Sequence, residues 1–345
     1  MGVAAGSLTA TGAVVLVADD STADAVHTTL AAAAVLFAAP AADKRRYAAT
    51  SDACGATGYR ALSGKQVYDW RLNDLAGRPP TPDVVARAAP RAYARLSAAG
   101  RAVLAALSWS RLAGGGAEPP VDLGALCEPA PLPPQRQGAS LLSLFRYEAG
   151  GGAAAPHVDR GLLTLVASTD AGLELRDAAD ETRWVPLTLQ HGDVAVLVGA
   201  TLAAATGQRL RAATHRVVAQ QTPRSSVVLR LRGAPQALLP RISVAEFERT
   251  FDQAHVSVNR DGGGAGGIRT RGVEPVAVVG SVDLTSGRRP DDPASKRRRS
   301  VRQPEPAKVD QAIEIINIKI RDLVRYCVCC APRGAALTYR CVFCN

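Results

Sequence analysis

Between residues 140 and 234 the chain is written as short apolar runs separated by turn residues: LLSLFRYE, LLTLVAS, LELRD, RWVPL, DVAVLVG, HRVVAQ and SVVLRLRG. Runs of this length, rich in Leu, Val and Thr, read as strands. Many such strands in close succession, each ended by Gly, Asp or Pro, predict an all-β sandwich or jelly roll.

The flanks are different. Residues 8–18 (LTATGAVVLVA) predict one more strand. Asp19 to Thr22 then offer N-cap chemistry, and the Ala-rich segment to Phe37 predicts a helix that Pro40 stops. Residues 51–75 carry Gly, Ser and Asn and read as loop-rich with short strands. From about Pro82 to Leu112 apolar residues recur at helical spacing, among them Val85, Ala88, Leu96 and Leu104. Pro90 interrupts them, so a kink or two helices are expected. Gly114–Gly116 and the Pro-rich stretch 119–134 make a connection.

After about residue 256 the composition changes again. Residues 261–267 (DGGGAGG) are a flexible linker by composition, and 286–308 are rich in Arg, Lys, Pro, Asp and Ser, which predicts disorder. An amphipathic helix is predicted from Val309 to Tyr326, with Ile313, Ile316, Ile320 and Leu323 on one face. The expected organisation is an N-terminal α/β region with a long linker helix (1–135), a β domain (136–240), a linker (241–308), and a helix with a Cys-rich tail (309–345). The fold class is α+β: a jelly-roll core flanked by N-terminal helices, with a poorly ordered C-terminal tail.

The formal charge of +10 concentrates in that tail, above all in Lys296–Arg299, so it says little about the β domain. The run reads as solvated linker rather than as a nuclear import signal, and it has no interleaved aromatics for base stacking. Nucleic acid is therefore not the expected partner. Five of the seven cysteines crowd the last twenty residues, which is not a disulfide framework for the whole chain. Within that cluster Cys327, Cys330, Cys341 and Cys344 have the C-x-x-C spacing of zinc ligands, with free thiols as the alternative. The first residues lack a basic segment before an apolar core, Gly6 stands where a myristoylation signal needs Ser or Thr, and no apolar run is read as membrane-spanning. A monomer in the cytoplasm is expected, with the nucleus as the alternative from Lys296–Arg299.

Three polar elements inside the strand-rich segment carry the chemistry. His157-Val158-Asp159 places an imidazole and a carboxylate at i and i+2, which on a strand share a face. His215 opens a later strand. Two His and one carboxylate on one side of a metal leave coordination positions open, the facial triad of non-haem Fe(II) sites. Arg224-Ser225-Ser226 repeats the i, i+2 spacing. A guanidinium fork with a neighbouring hydroxyl matches a carboxylate and suits the distal carboxylate of 2-oxoglutarate. H-x-D alone is common by chance. This chain, however, has only five His, and two of them fall into a pattern that R-x-S completes.

Residues 140–234 resemble the isopenicillin-N-synthase-like family of 2-oxoglutarate- and Fe(II)-dependent oxygenases. The carrying motifs are HVDRGLLTL from His157, GLELRD from Gly172, Trp184-Val185-Pro186, His191-Gly192-Asp193, His215-Arg216-Val217 and Arg224-x-Ser226. Upstream, FAAPAADKRRY from Phe37, Gly58-Tyr59 and the long helical stretch also match, so the resemblance covers about residues 8–235. It implies a double-stranded β-helix, iron at His157, Asp159 and His215, and 2-oxoglutarate and O2 as co-substrates. It also implies a small organic substrate that is hydroxylated, desaturated or cyclised. Tyr147 stands where many relatives place a Tyr beside the oxo acid. Phe145 and Ala200 depart from the family's usual residues. Two alternatives stay open. Some relatives keep the triad and R-x-S without consuming 2-oxoglutarate, and an inactive oxygenase-like body could bind partners through its tail. The Gly262-x-Gly264-x-x-Gly267 match to a dinucleotide fingerprint lacks a preceding strand and is set aside.

Overall fold

The computed structural model describes residues 8, 11–52, 55–73, 80–108, 122–240 and 242–251, and the backbone of 338–340. The strands are β1 (Ala13–Val17), β2 (Thr50–Asp52), β3 (Gly55–Leu62), β4 (Lys65–Trp70), β5 (Leu141–Tyr147), β6 (Ala154–His157), β7 (Leu163–Ser168), β8 (Leu173–Arg176), β9 (Trp184–Pro186), β10 (Asp193–Val198), β11 (His215–Val217), β12 (Arg224–Leu231) and β13 (Thr338–Arg340). Among the helices that accompany them are α1 (Asp20–Ala38), α2 (Ala41–Lys44), α3 (Asp83–Ser108) and α4 (Ala200–Ala205).

The strands form two antiparallel sheets, one in the order β13-β1-β10-β7-β12-β5-β4-β3-β2 and one in the order β6-β11-β8-β9. Together they make the jelly roll. Side chains alternate along each strand, so the large sheet has two faces. Leu142 and Leu144 of β5, Leu163 and Leu165 of β7, and Val227, Leu229 and Leu231 of β12 pack under the helices with Val26, Leu36, Leu96 and Leu104. The alternate residues, Phe145, Tyr147, Val166 and Val228, close a second core with Leu173, Leu175 and Val217 of the small sheet. The metal-ligating candidates belong to this inner space.

Each of the seven sequence runs contains a strand. Several local expectations are corrected. Residues 51–75 hold a regular hairpin, β3–β4, whose second strand pairs with β5 from Lys65↔Tyr147 to Trp70↔Leu142. Among the described residues of the first predicted strand, Ala13–Val17 form the strand. Asp19 caps α1 as predicted, its Oδ1 accepting from the Thr22 N–H at 2.8 Å. That helix is long and apolar enough to cross a membrane by length and composition, contrary to the expectation from sequence. Its Val26, Ala33, Leu36 and Phe37 nevertheless pack in the protein core. Pro90 neither splits nor ends α3, a single 26-residue helix. Pro90 and Ala86, whose carbonyl it frees, both lie on the exposed side, where solvent can take the lost hydrogen bond. Of the predicted linker, residues 242–251 are described and are helical from 244 to 251, which corrects the expectation of a linker there. The rest of it, the 309–326 helix, Lys296–Arg299 and the cysteines of the tail lie outside the described residues.

Candidate metal centre

β6 ends on His157, so the H-x-D motif is half strand and half turn rather than a continuous strand. Asp159 is nevertheless brought to the same point by backbone bonds from α4. The Ala200 N–H donates to the Asp159 carbonyl at 2.8 Å, and the Thr201 N–H donates to the Arg160 carbonyl at 3.0 Å. This clamp requires a close approach at Gly199, where a Cβ would lie 2.1 Å from the Gly161 oxygen. The short helix was not anticipated, and neither was the role of the Ala200 amide. His215 enters from β11, where it pairs in register with His157.

The ligand atoms of His157, Asp159 and His215 all lie within 4.8 Å of one another, the one such group of three or more among the described residues. His157 Nε2 is 3.9 Å from Asp159 Oδ1, and His215 Nε2 is 3.7 Å from Asp159 Oδ2. Those separations are too long for hydrogen bonds and suit ligands around a shared ion. The tautomers agree. His157 Nδ1 is 2.8 Å from the Ala155 carbonyl and His215 Nδ1 is 3.0 Å from the Ala213 carbonyl. A carbonyl only accepts, so each Nδ1 carries the proton and each Nε2 turns a lone pair toward Asp159. Burial, helped by the neighbouring His215, pulls His157 down to about 4, which favours the neutral ligand form.

Asp159 is held ionised. Burial works against its charge, but Arg230, His215 and His157, with the Thr164 hydrogen bond, outweigh it and keep the carboxyl well below its usual range. The Thr164 hydroxyl donates to Oδ2 at 2.6 Å and Arg230 Nε reaches Oδ1 at 3.4 Å. Arg230 also donates to Ser143 Oγ at 2.7 Å, and Ser143 donates to Asp69 Oδ1 at 2.5 Å. Sequence reasoning missed Thr164, Ser143 and Arg230. The signal for Arg230 was available: it lies on the same strand parity as Arg224 and Ser226, opposite to Val227, Leu229 and Leu231.

Arg224 and Ser226 both sit on the inner face of β12, buried, with Arg224 paired to Tyr147 and Ser226 to Phe145 across to β5. The Arg224 guanidinium lies 5.3 Å from the Tyr147 ring centre, and its Nε donates to the Asp170 carbonyl at 3.1 Å. Its Nη1 and Nη2 are buried without any hydrogen-bond partner. An unpaired buried guanidinium edge is costly, and a carboxylate is the group that would satisfy both nitrogens at once. The residues therefore fit both groups: three neutral or anionic ligands for a divalent metal, and a fork for an oxo acid. His191 lies on an exposed turn, as expected. His27, for which no partner was expected, meets it edge-on at 5.7 Å.

Residues 139–233 match the model of the 2OG-Fe(II) oxygenase superfamily. No curated protein matches the chain in sequence. Among solved structures, a candidate 2OG-Fe(II) oxygenase family protein from Caulobacter crescentus is 21% identical, with 72% of this chain and 92% of that one covered and a TM-score of 0.58. A candidate oxygenase from Shewanella oneidensis is 18% identical over 72% and 93% of the two chains, also with a TM-score of 0.58. A full-length protein of Neurospora crassa, solved in complex with alpha-KG and 5-formyluracil, is 17% identical over 69% and 80%, with a TM-score of 0.53. The superfamily model lies on the strands that carry the triad, and the triad fits an iron site. The chain thus contains a 2OG-Fe(II) oxygenase domain, an oxidoreductase unit that uses Fe(II), 2-oxoglutarate and O2.

Proposed function

We propose that the protein oxidises a C–H bond of a small organic molecule, by hydroxylation, desaturation or ring closure, at a centre formed by His157, Asp159 and His215. The observation that carries this is the convergence of two imidazole lone pairs and one ionised carboxylate that do not hydrogen-bond to one another. Such an arrangement is poorly satisfied until a cation enters it. Bound iron, with 2-oxoglutarate and O2, supplies the oxidising power while the oxo acid becomes succinate and CO2.

The chain's own residues do the rest. His157 and His215 bind through Nε2 while the Ala155 and Ala213 carbonyls fix their ring orientation. Asp159 provides the anionic ligand, oriented by Thr164. Arg224 takes the distal carboxylate of the oxo acid in its two unpaired nitrogens, Ser226 adds a hydroxyl on the same face, and Tyr147 walls the site. The inner-face apolar residues Val166, Leu175 and Val228 keep water out. The cytoplasm is the compartment expected for this chemistry.

The test is anaerobic titration of the purified protein with Fe(II), with and without 2-oxoglutarate, followed by visible absorption. A weak charge-transfer band that needs both components is expected. Iron binding without that band would assign the Arg224 fork to another carboxylate, and absence of iron binding would overturn the proposal.

A further inference from the structure

Arg230, which helps to hold Asp159 ionised, keeps one nitrogen that has no task in holding iron or the oxo acid. Arg230 lies beyond Ser226 on the same face of β12. Its Nε and Nη1 are used by Asp159 and Ser143, and among the described residues its Nη2 has no hydrogen-bond partner. It borders an open cavity of about 360 Å³ that reaches Asp159, with Arg160, Arg232 and Phe251 also on its wall. That volume suits a small organic molecule.

Three guanidinium groups, Arg160, Arg230 and Arg232, stand on the wall of this cavity. Glu248 is shared between Arg232, at 3.4 Å, and Arg160, at 3.6 Å. Arg232 Nε is buried without a partner. Burial, and then Arg160 beside it, pull Arg232 down to about 10. Two carboxylates act on Arg230: Asp159, a metal ligand, and Asp69, which Arg60 already pairs and which meets Arg230 only through Ser143. Once a divalent ion takes the charge of Asp159, Arg230 is left facing a cation rather than an anion. A dianionic oxo acid offsets the metal, and its distal carboxylate belongs to Arg224. Arg230 is then left without a carboxylate of its own, in a cavity next to the metal ligands.

We propose that the substrate carries a carboxylate that docks on Arg230, with Arg232 at the edge of the same cavity; this rests on the iron and 2-oxoglutarate assignment above. A planar carboxylate matches a guanidinium edge, and Arg230 is the guanidinium of this cavity that reaches the metal ligands, so a carboxylate is the anion it calls for. The carboxylate fixes the molecule at one end and presents its carbon skeleton toward the metal ligands.

The experiment uses the full chain with Zn(II) in place of iron and with 2-oxoglutarate present. A diverse panel of monocarboxylic acids, each with its primary amide and a matching phosphate monoester, is screened by saturation-transfer NMR. Acids are expected to bind in preference to their amides. Arg230→Gln is expected to weaken acid binding about ten- to hundred-fold and leave the weak amide binding unmoved. Arg230→Lys, which keeps the charge but not the fork, should fall between, and Arg232→Gln should lose less. No preference for acids over amides in the wild-type protein would overturn the proposal without any variant having to fold. So would unaltered acid binding in Arg230→Gln, or a preference for the phosphate esters. The Fe(II)–2-oxoglutarate absorption band of the same preparation separates the two claims. A band without acid preference sinks this inference alone, and acid preference through Arg230 without a band sinks the cofactor assignment alone.

Discussion

The two faces of the large sheet are built from the same strands and do opposite things. On β12, Val227, Leu229 and Leu231 point under α1 and α3, while Arg224, Ser226 and Arg230 point inward with only Val228 as apolar company. On β5 the pairing is Leu142 and Leu144 against Ser143 and Tyr147; on β7 it is Leu163 and Leu165 against Thr164 and Ser168. The outer face is closed and dry, and burial of its side chains supplies the fold's driving force. The inner face buries polar groups that cost free energy as they stand, two unpaired nitrogens of Arg224 among them. Polar residues survive there because ligands complete them. A period of two thus separates stability from chemistry within one strand.

The largest effect that would break this division is a charge on the wrong face. Leu229 is fully buried under the helices. Leu229→Asp should cost several kcal/mol, a large part of the stability of a domain, and remove the cooperative thermal transition. A variant melting like wild type would mean that the outer face does not carry the fold. His215→Ala, on the inner side, should do the reverse. Removing one of three ligands should abolish Fe(II) binding and lower turnover by at least about a thousand-fold, roughly 4 kcal/mol of barrier, while the melting curve of the metal-free protein is nearly kept. Turnover at the wild-type rate would remove His215 from the centre.

Much of this was legible because alternation and short-range spacing are local. The run SVVLRLRG announced a strand, and R-x-S announced which parity carries the carboxylate fork. The N-cap at Asp19 and the stop at Pro40 were equally local. What escaped was non-local. Asp159 lies off the end of β6, and its position is set by amide donors of α4, a six-residue helix, ATLAAA, too short for a hydrophobic period to mark. Thr164 and Ser143 are ordinary strand residues until the fold sets them against Asp159 and Arg230. Pro90 did not divide α3 into two helices, because a break in a helix depends on whether the freed carbonyl meets solvent, and that depends on which face is packed.

Two smaller effects sharpen the contrast. Arg224→Leu should raise the 2-oxoglutarate concentration for half-maximal turnover by about ten- to hundred-fold, since two charge-assisted hydrogen bonds are lost. It should leave the melting temperature of the unliganded protein unchanged or higher, because it removes a buried unsatisfied guanidinium. An unchanged oxo-acid requirement would free Arg224 from that role. The pH dependence of stability should likewise belong to the inner face. His157 titrates near 6.5 when unfolded and is pulled to about 4 in the fold. Between those values the unfolded chain takes up a proton that the folded one refuses. Stability of the chelated, metal-free protein should therefore fall as pH drops from about 6.5 toward 4, with Asp159 adding to the loss below its ordinary range. Denaturation midpoints that are flat across that window would show His157 to be more exposed to water than its setting implies.

The smallest effect is expected at Thr164, where one strand residue touches both stories. Its backbone sits in β7 between the outward Leu163 and Leu165, and its hydroxyl donates to Asp159 Oδ2 at 2.6 Å. Thr164→Val keeps the branched shape and removes that donor. The strand should tolerate the change, since the extended backbone and its pairing with β12 at Arg230 are untouched. The carboxylate, however, loses the hydrogen bond that orients it and favours its ionised form. Metal affinity should fall by about ten-fold, at the low end for partners that orient a ligand. The pH at which metal is released should shift upward, because Asp159 would be protonated more readily. That shift is the deciding measurement: a residue that merely fills space would lower stability without moving it, whereas a hydroxyl that tunes the ligand would move it with little change in the melting curve.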